Sequence, residues 1–309
     1  MNILITGGCG HIGSYLIRQF PLYYRVVPRL PYRVTVVDNL LTQRYCSLFD
    51  LDRRIKFIEK DIDELTTEDI IGTDIVIHLA AITNAEGSFK NKEETENVNV
   101  VKTKKFIELC RKVKIPYFIF PSSTSVYGVS TDVVYEDDDS VVNPQSPYAE
   151  TKIKIENLLK NQDDMNYLIL RFGTIFGQSI GMRFHTAINK FCYEISLGKP
   201  LTIWKENYEQ VRPYLGLDDA IRSIIHFSEK PEHFNQTYNV ISGNFKLSEV
   251  VKSIEGVVGE IELNMVDTPL LNQFSYDVSD DKARKTGFKP KDKLEESIEK
   301  TLKTLENLK

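Results

Sequence analysis

The sequence has few cysteines, a single tryptophan and no long run of apolar residues. Its cysteines, Cys9, Cys46, Cys110 and Cys192, are far apart and form no C-x-x-C pair, which argues against a zinc or dithiol site and fits a reducing compartment. No apolar run comes close to the length of about 20 residues that a membrane-spanning helix needs. The first residues, MNILITGG, lack the basic start of a signal peptide. We therefore expect a soluble cytoplasmic protein without a membrane segment or a bound metal.

An excess of positive charge is also absent, because 39 lysines and arginines are set against 44 aspartates and glutamates, a net charge of −5. A nucleic-acid partner, which usually requires a basic face, is therefore not expected. Hydrophobic residues make up 41% of the 309 positions, enough for a packed core, so wholesale disorder is excluded. This length favours one large domain that carries a smaller one.

The first half of the chain alternates short apolar runs with segments of helical spacing. The apolar runs lack clean polar alternation, which is typical of strands buried on both faces of a parallel sheet. We predict strands at 2–6, 34–38, 56–59, 75–79, 117–122 and 167–171, and helices at 11–20, 97–113 and 148–160. Repeated β-then-α units of this kind predict an α/β fold with a Rossmann-type, doubly wound parallel sheet.

After Arg171 the alternation becomes irregular. We predict a loop at 172–181, strands at 201–204 and 237–242, and helices at 184–197, from 217 onward, and at 247–257. This pattern favours a smaller mixed α/β domain that grows out of the larger one by insertions. We expect the first domain at 1–172, with residues about 213–240 added to it, and the second domain mainly at 173–309.

The segment TGGCGHIG at 6–13 follows the first predicted strand and opens the first predicted helix. Gly7, Gly10 and Gly13 suit a tight turn, a close approach of backbone to a pyrophosphate, and close packing of helix on strand. Asp38, at the end of the second predicted strand, can accept hydrogen bonds from an adenosine ribose and would repel a 2′-phosphate. The alternative is a sharp turn with a solvated aspartate, but the combination favours a dinucleotide site that prefers NAD to NADP.

Tyr148 and Lys152 lie one helical turn apart in the predicted helix 148–160, so their side chains share a face. An ammonium group lowers the pKa of a neighbouring phenol, which helps the phenol to take a proton from a sugar or alcohol hydroxyl. Ser123 follows the fifth predicted strand, where a hydroxyl points into the ligand crevice of such a sheet. The alternative is an ordinary surface pair on the helix, which the preceding dinucleotide fingerprint disfavours.

These segments resemble the extended short-chain dehydrogenase/reductase superfamily and, within it, the NAD-dependent nucleotide-sugar epimerase/dehydratase family that includes UDP-glucose 4-epimerase. TGGCGHIG, VVDNL, KDIDE, IHLAA, ENVNVVKT, PSSTSVYG and YAETK occur in the family's order and spacing. The resemblance implies that Tyr148 is the catalytic base, that Lys152 holds the nicotinamide ribose and that Ser123 is the active-site hydroxyl. It also implies a homodimer that pairs through the helices at 97–113 and 148–160.

The resemblance further implies which residues contact the ligands. Cofactor contacts are expected from Gly7, Gly10, His11, Ile12, Gly13, Asp38, Asn39, Asp61, Ile62, Leu79, Ala80, Ala81, Asn99, Ser122, Tyr148 and Lys152. Substrate contacts are expected from Ser123, Thr124, Tyr148, Thr174, Arg183 and Arg212. Among the cofactor residues, Asp61 and Ile62 resemble the pair that contacts adenine, and Asn99 resembles the family's structural asparagine.

The substrate half departs from the family in several places. Thr124 and the serine after it occupy the places of the acidic pair of sugar dehydratases, which argues against a 4,6-dehydratase. Thr174 replaces an asparagine that contacts the substrate diphosphate, whereas Arg212 still suits such a contact through its planar guanidinium. Residues 267–270 replace an element with a second phosphate-binding arginine, for which Arg183 is a candidate substitute.

The favoured function is an NAD-dependent nucleotide-sugar 4-epimerase, in which Tyr148 and Ser123 act on the C4 hydroxyl while hydride moves to NAD and later returns to the other face of the sugar. A net nucleotide-sugar dehydrogenase or keto-sugar reductase stays open, because LRFGTIFG and MRF are also similar to enzymes that act on GDP-heptoses. A non-catalytic NAD-binding regulator is the third alternative, against which the intact set of Ser123, Tyr148 and Lys152 argues. The sugar and the nucleotide stay open.

Overall fold

Strands and helices alternate through the part of the chain that the computed structural model describes, residues 1–26, 32–267 and 275–308. The strands are β1 (Asn2–Thr6), β2 (Arg33–Asp38), β3 (Ile55–Glu59), β4 (Ile75–His78), β5 (Tyr117–Ser123), β6 (Asn166–Phe172), β7 (Thr174–Phe176), β8 (Leu201–Trp204), β9 (Val211–Gly216), β10 (Gln236–Val240), β11 (Gly243–Lys246) and β12 (Leu263–Val266). The α-helices are α1 (His11–Val26), α2 (Thr67–Ile70), α3 (Gly87–Lys90), α4 (Lys92–Glu96), α5 (Thr103–Lys112), α6 (Pro147–Lys160), α7 (Ala187–Ser196), α8 (Leu217–Ser228), α9 (Leu247–Val258), α10 (Asp281–Lys285) and α11 (Leu294–Leu305). A π-helix, Asn97–Lys102, joins α4 to α5.

A seven-stranded parallel sheet forms the centre of the fold, in the order β10-β6-β5-β4-β1-β2-β3. From β1 the chain first adds β2 and β3 on one side of the sheet and then adds β4, β5 and β6 on the other side. At such a change of direction, here between β1 and β4, a crevice for ligands opens at the carboxyl ends of the strands. The predicted α/β fold with a doubly wound parallel sheet is confirmed. The predicted strands are present, with bounds that differ by one or two residues at most.

Both faces of this sheet are covered by buried apolar side chains. Ile3 and Ile5 of β1 belong to a cluster on one face that includes Ile221 of α8. Leu4 belongs to a cluster on the opposite face that includes Phe106 of α5. Because successive side chains of a strand point to opposite faces, a strand covered on both sides is apolar throughout. This burial explains the apolar runs without alternation.

Two smaller sheets lie beside the large one, in the orders β11-β9-β7 and β12-β8. Their strands pack with α7, α9 and α11 in a separate apolar cluster, which includes Phe176, Ile188, Leu201, Val250 and Ile298. The prediction of a loop at 172–181 is wrong at Thr174–Phe176, where the chain forms β7, a strand of three residues. β9, β11 and β12 were not predicted either, and Pro213 within β9 has no N–H to donate, which is atypical of a strand between two others.

The chain returns to the large sheet after β9. α8 packs against the sheet, and β10 pairs with β6 at its edge, so that Ile224 and Val240 lie in the same cluster as the side chains of β1. The predicted addition of residues about 213–240 to the first domain concerns this segment, and the bounds of the two domains stay predictions. Of the substrate element at 267–270, residues 268–270 lie outside the described residues. Among the helices described, none combines the length and the apolar character needed to cross a membrane.

Candidate active site

Two adjoining cavities open at the carboxyl ends of the central strands. The glycine-loop cavity, of about 560 Å³, is bordered by the turn after β1, the end of β2 and the loop after β4. The tyrosine cavity, of about 360 Å³, is bordered by the end of β5, the start of α6 and residues of the smaller sheets. The residues that border both are Ile12, Leu79, Ala81, Thr83, Asn84, Arg183 and His185. Each volume lies within the range of about 300–1,000 Å³ that is usual for small-molecule sites.

The turn after β1 leaves no room for side chains. Gly7 has a φ of +68°, and a Cβ atom there would lie 2.5 Å from the backbone nitrogen of Ala80. A Cβ atom at Gly13 would lie 2.5 Å from the carbonyl oxygen of Gly7. α1 begins at His11 on the border of the cavity, so its first N–H groups and the positive end of its dipole lie where an anion binds. This cradle fits the pyrophosphate of a dinucleotide.

The predicted cofactor residues of the first half gather around the glycine-loop cavity. Its border includes Gly7, Gly10, His11, Ile12, Gly13, Asp38, Asn39, Asp61, Ile62, Leu79, Ala80 and Ala81. The carboxylate of Asp38 accepts hydrogen bonds from the backbone N–H of Cys9 and of Leu40, both at 2.9 Å. These bonds fix the carboxylate between the glycine turn and the end of β2, where an adenosine ribose is expected.

Asp61 is held at the far end of the same cavity by a cation and an amide. Lys102 Nζ donates to Asp61 Oδ2 at 2.8 Å, and Asn39 Nδ2 donates to the same oxygen at 3.0 Å. Burial works against ionisation of this carboxyl, but these hydrogen bonds are strong enough to lower the pKa of Asp61. The position fits the predicted adenine contact, with Ile62 next to it in the cavity border.

α6 directs Tyr148 and Lys152 into the tyrosine cavity. Ser146 caps this helix by accepting a hydrogen bond from the N–H of Ala149 at 3.2 Å, and Pro147 occupies its first turn. Lys152 Nζ donates to the carbonyl oxygen of Pro121 in β5 at 2.9 Å. Burial lowers the pKa of Lys152 to about 8. The predicted pair is therefore anchored between helix and sheet.

The electrostatics of Tyr148 differ from the expectation for an isolated tyrosine–lysine pair. Burial raises the pKa of the Tyr148 phenol, and the charge of Arg183 together with a hydrogen bond to Ser123 lowers it in part. Arg183 is thus the cation that favours the phenolate in this structure. The sequence had suggested this arginine as a substitute for a phosphate-binding arginine of the substrate site, and its position next to Tyr148 was not expected.

A buried ion pair lies next to Ser122 at the end of β5. Arg171 of β6 and Glu156 of α6 form it with an Nη2–Oε2 distance of 2.7 Å, and both side chains are almost fully buried. Ser122 donates a hydrogen bond to Glu156, and Tyr127 Oη accepts one from Arg171 at 2.9 Å. The hydroxyl of Ser122 is therefore engaged in this network, although Ser122 also borders the tyrosine cavity.

Comparison with known proteins identifies the family. The family model described as the NAD dependent epimerase/dehydratase family matches residues 3–240. The chain belongs to the NAD-dependent epimerase/dehydratase family. It is 29% identical over 275 residues to the uncharacterized UDP-glucose epimerase YtcB of Bacillus subtilis (strain 168), an alignment that covers 84% of this chain and 83% of that protein.

Two further relatives illustrate the range of the family. The chain is 29% identical over 329 residues to a trifunctional UDP-glucose 4,6-dehydratase/UDP-4-keto-6-deoxy-D-glucose 3,5-epimerase/UDP-4-keto-L-rhamnose-reductase of Arabidopsis thaliana, which covers 97% of this chain and 46% of that protein. Its fold is similar to the crystal structure of UDP-glucuronic acid 4-epimerase from Bacillus cereus in complex with UDP-glucuronic acid and NAD, with a TM-score of 0.86, 26% identity and full coverage of both chains. The predicted family, the NAD cofactor and the status as an enzyme are confirmed.

The predicted substrate residues of this family member fall into two groups. Ser123, Tyr148, Thr174, Arg183 and Arg212 border the tyrosine cavity, together with Ser122 and Lys152 from the cofactor set. Thr124 is not among the residues that border these two cavities; it is buried, and its hydroxyl donates to the carbonyl oxygen of Phe172 at 3.3 Å. Its contact with the substrate stays a prediction.

Asn99 also lies behind the cavities and borders neither. Its side chain accepts a hydrogen bond from the N–H of Ile82 at 2.8 Å and donates to the carbonyl oxygen of Ile82 at 2.9 Å. It donates as well to Thr151 Oγ1 of α6 at 3.2 Å. Asn99 therefore connects the loop after β4 to α6, which agrees with a structural asparagine, and its direct contact with the cofactor stays a prediction.

Several cavity residues were missed from the sequence. Thr83, in the loop after β4, borders both cavities, and Trp204, Tyr214 and Tyr276 border the tyrosine cavity. The position of Thr83 two residues after the predicted contact Ala81 was a usable signal. Tyr276 had none, because it reaches the cavity from a segment far along the chain that pairs with residues near Val134.

Proposed function

We propose that the chain is an NAD-dependent nucleotide-sugar 4-epimerase. The observation that carries this proposal is the position of Tyr148, whose phenol borders the tyrosine cavity, is hydrogen-bonded to Ser123 and lies near the charge of Arg183. The adjoining glycine-loop cavity fits the cofactor. The full-length similarity to a UDP-glucuronic acid 4-epimerase supports this reaction type.

In this proposal Tyr148 takes the proton from the C4 hydroxyl of the sugar, while Ser123 is hydrogen-bonded to the same oxygen. NAD, when bound, supplies a group that accepts a hydride and later donates it. Lys152 is fixed by its hydrogen bond to Pro121 where it can hold the nicotinamide ribose. Tyr148 returns the proton once the sugar has presented its other face, and the enzyme regains its starting state.

The acid groups of the tyrosine cavity support epimerisation over dehydration. Loss of water from a sugar requires an acid that protonates the departing hydroxyl. Thr124, in the place of the dehydratases' acid, has no carboxyl group, and its hydroxyl donates to the carbonyl oxygen of Phe172. Among the described residues that border this cavity, Glu86 is the carboxylate, and it is exposed on the loop after β4. A 4,6-dehydratase activity, as in the names of some relatives, is therefore less well supported for this chain than epimerisation.

The test is a product assay with the full chain, NAD and a panel of UDP-, GDP-, CDP- and dTDP-sugars. UDP-sugars come first because a similar 4-epimerase was solved with UDP-glucuronic acid bound. We expect a new C4 epimer by NMR without growth of the NADH absorbance. Tyr148→Phe is expected to lower turnover by about 10²-fold or more, because it removes the base, while NAD binding changes little. Tyr135→Phe, at an exposed position, is the matched control and should retain activity.

Each other outcome would replace the proposal with a specific alternative. NADH that rises in step with a keto-sugar would make the enzyme a net dehydrogenase or keto-sugar reductase. If no sugar nucleotide of the panel is converted while the protein still binds NAD, the non-catalytic regulator would be favoured. A fully active Tyr148→Phe variant would remove the mechanism. The homodimer through the helices at 97–113 and 148–160 and the cytoplasmic location stay predictions.

A further inference from the structure

Arg183 is a cation without a carboxylate partner at the junction of the two cavities. Its Nε atom is fully enclosed and makes no hydrogen bond, and Nη1 donates to Thr83 Oγ1. In residues 1–26, 32–267 and 275–308, no carboxylate forms an ion pair with Arg183. A partly buried guanidinium with an unmet N–H is unfavourable unless an anion completes the site.

Two further cations, Arg44 and Lys152, lie near Arg183. Burial lowers the pKa of Arg183 to about 10, an effect that the phenol of Tyr148 opposes and the charge of Arg44 reinforces. Arg183 in turn helps to lower the pKa of Lys152. A cluster of cations at a cavity wall repels itself in the free protein, and it attracts an anionic ligand. The protein therefore contributes positive charge here that a ligand must balance.

The segment that carries Arg183 is docked on the phosphate-binding turn. The N–H of Arg183 donates to His11 Nδ1 at 3.1 Å, and the N–H of Gly181 donates to Ser14 Oγ at 3.0 Å. A Cβ atom at Gly181 would lie 2.6 Å from the carbonyl oxygen of Cys9, so the two backbones are in close contact. Arg183 is thus fixed to the first turn of α1, whose N-terminus is the expected pyrophosphate site.

We propose that Arg183 closes the cofactor site by binding the pyrophosphate of NAD opposite the glycine turn. A guanidinium can bind a phosphate through two parallel hydrogen bonds, which suits the unmet Nε and its neighbour. The proposal concerns cofactor retention and is independent of which sugar is the substrate. The proposal also explains why the segment after β7 contacts the start of α1: a residue of that segment completes a site that β1 and α1 build.

Arg183 could bind an anionic group of the substrate instead of the pyrophosphate, because it borders the tyrosine cavity as well. The contact of its backbone with His11 favours the cofactor. Arg212 offers a matched comparison, since it borders the tyrosine cavity and not the glycine-loop cavity. Substitution of Arg212 should therefore affect the substrate and leave the cofactor in place.

The experiment measures dissociation constants of NAD and of ADP-ribose for the full chain by calorimetry, without any sugar nucleotide. Arg183→Met is expected to weaken both ligands about 10- to 100-fold, since a hydrogen bond to a charged group contributes about 1.5–3 kcal/mol. ADP-ribose retains the pyrophosphate and lacks the nicotinamide, so an equal loss for both ligands places the contact at the pyrophosphate. Arg183→Lys should recover part of the affinity, and Arg212→Met should leave both constants unchanged.

A second variant keeps the test valid if Arg183→Met does not fold, as judged by circular dichroism. Gly181→Ala retains the guanidinium and displaces the segment from Cys9, so it should also weaken NAD and ADP-ribose. Unchanged NAD binding in Arg183→Met would overturn the proposal, and weaker binding of a UDP-sugar in a separate titration of the NAD-loaded protein would then assign the arginine to the substrate. Unchanged binding of every ligand would overturn it as well. Because no turnover is measured, these results stand apart from the test of the epimerase reaction.

Discussion

At the scale of single residues, the pair of Arg171 and Glu156 connects the core to the candidate active site. Both side chains are almost fully buried, and the pair lies between β6 and α6. Glu156 also accepts the hydrogen bond of Ser122, the residue before Ser123. Loss of one partner leaves a charge that the surrounding core cannot solvate. The pair therefore supports the position of the helix that carries Tyr148.

We expect Glu156→Gln to lower the free energy of unfolding by about 3–5 kcal/mol, because it leaves the buried charge of Arg171 without a partner. Urea unfolding followed by circular dichroism measures the change. Arg111→Gln is the control, since its ion pair with Asp164 lies on the surface and its loss should change the midpoint little. A Glu156→Gln protein as stable as the wild type would show that the core compensates the charge in another way.

The sequence predicts the surroundings of some of these residues and not of others. Tyr148 and Lys152 were predictable, because one helical turn separates them and local spacing alone places both on the same face. His78 lies in an apolar strand, where a histidine is usually part of the core, and its Nδ1 lies 2.8 Å from Thr6 Oγ1 and its Nε2 3.1 Å from Thr103 Oγ1. Arg183 was not predictable next to Tyr148, since that proximity depends on how a distant loop docks.

At the scale of elements, the turn between β1 and α1 is the most constrained segment of the cofactor site. A side chain at Gly13 would meet the carbonyl oxygen of Gly7 and the Cα atom of Gly8, at 2.5 and 2.6 Å. Backbone atoms cannot yield without opening the turn. Gly256 in α9 provides a contrast, because a Cβ atom there would meet nothing within 4 Å.

We expect Gly13→Ala to weaken NAD binding at least about tenfold, since the turn must open and displace the N–H groups that face the pyrophosphate. Calorimetry with NAD measures the effect. Gly256→Ala should retain NAD affinity and raise the free energy of unfolding by about 0.5–1 kcal/mol, because alanine favours a helix interior. Equal NAD affinity in the Gly13→Ala protein would contradict the cradle described above.

Elements of the central sheet were predictable for a physical reason that does not extend to the smaller sheets. A parallel strand covered on both faces must be apolar along its whole length, as in β1 and β4. β7 is too short to show a period, and Pro213 makes β9 atypical of a strand. These strands form because the surrounding packing selects them, and local sequence carries little of that information.

At the scale of the whole molecule, burial of neutral histidines links stability to pH. His11 and His78 are buried, and desolvation lowers the pKa of each to about 3. In the unfolded chain both titrate near their ordinary value of about 6.5. Below that pH the unfolded state binds more protons than the folded state. The stability contributed by the neutral rings is therefore complete above about pH 6.5 and is lost as the pH falls toward about 3.

We expect the free energy of unfolding to fall as the pH is lowered from about 6.5 to about 5, with up to about 1.4 kcal/mol per pH unit from each buried histidine. Asp292 acts in the opposite sense, because burial raises its pKa to about 6 and the folded state then binds the extra proton. The contribution of His78 is therefore isolated as a difference. His78→Gln should have a shallower slope than the wild type in urea unfolding measured across this range, while its amide can still bond to Thr6 or Thr103. Parallel slopes would mean that the fold admits the protonated ring, and the stability of the central sheet would then depend on packing rather than on the charge state of this residue.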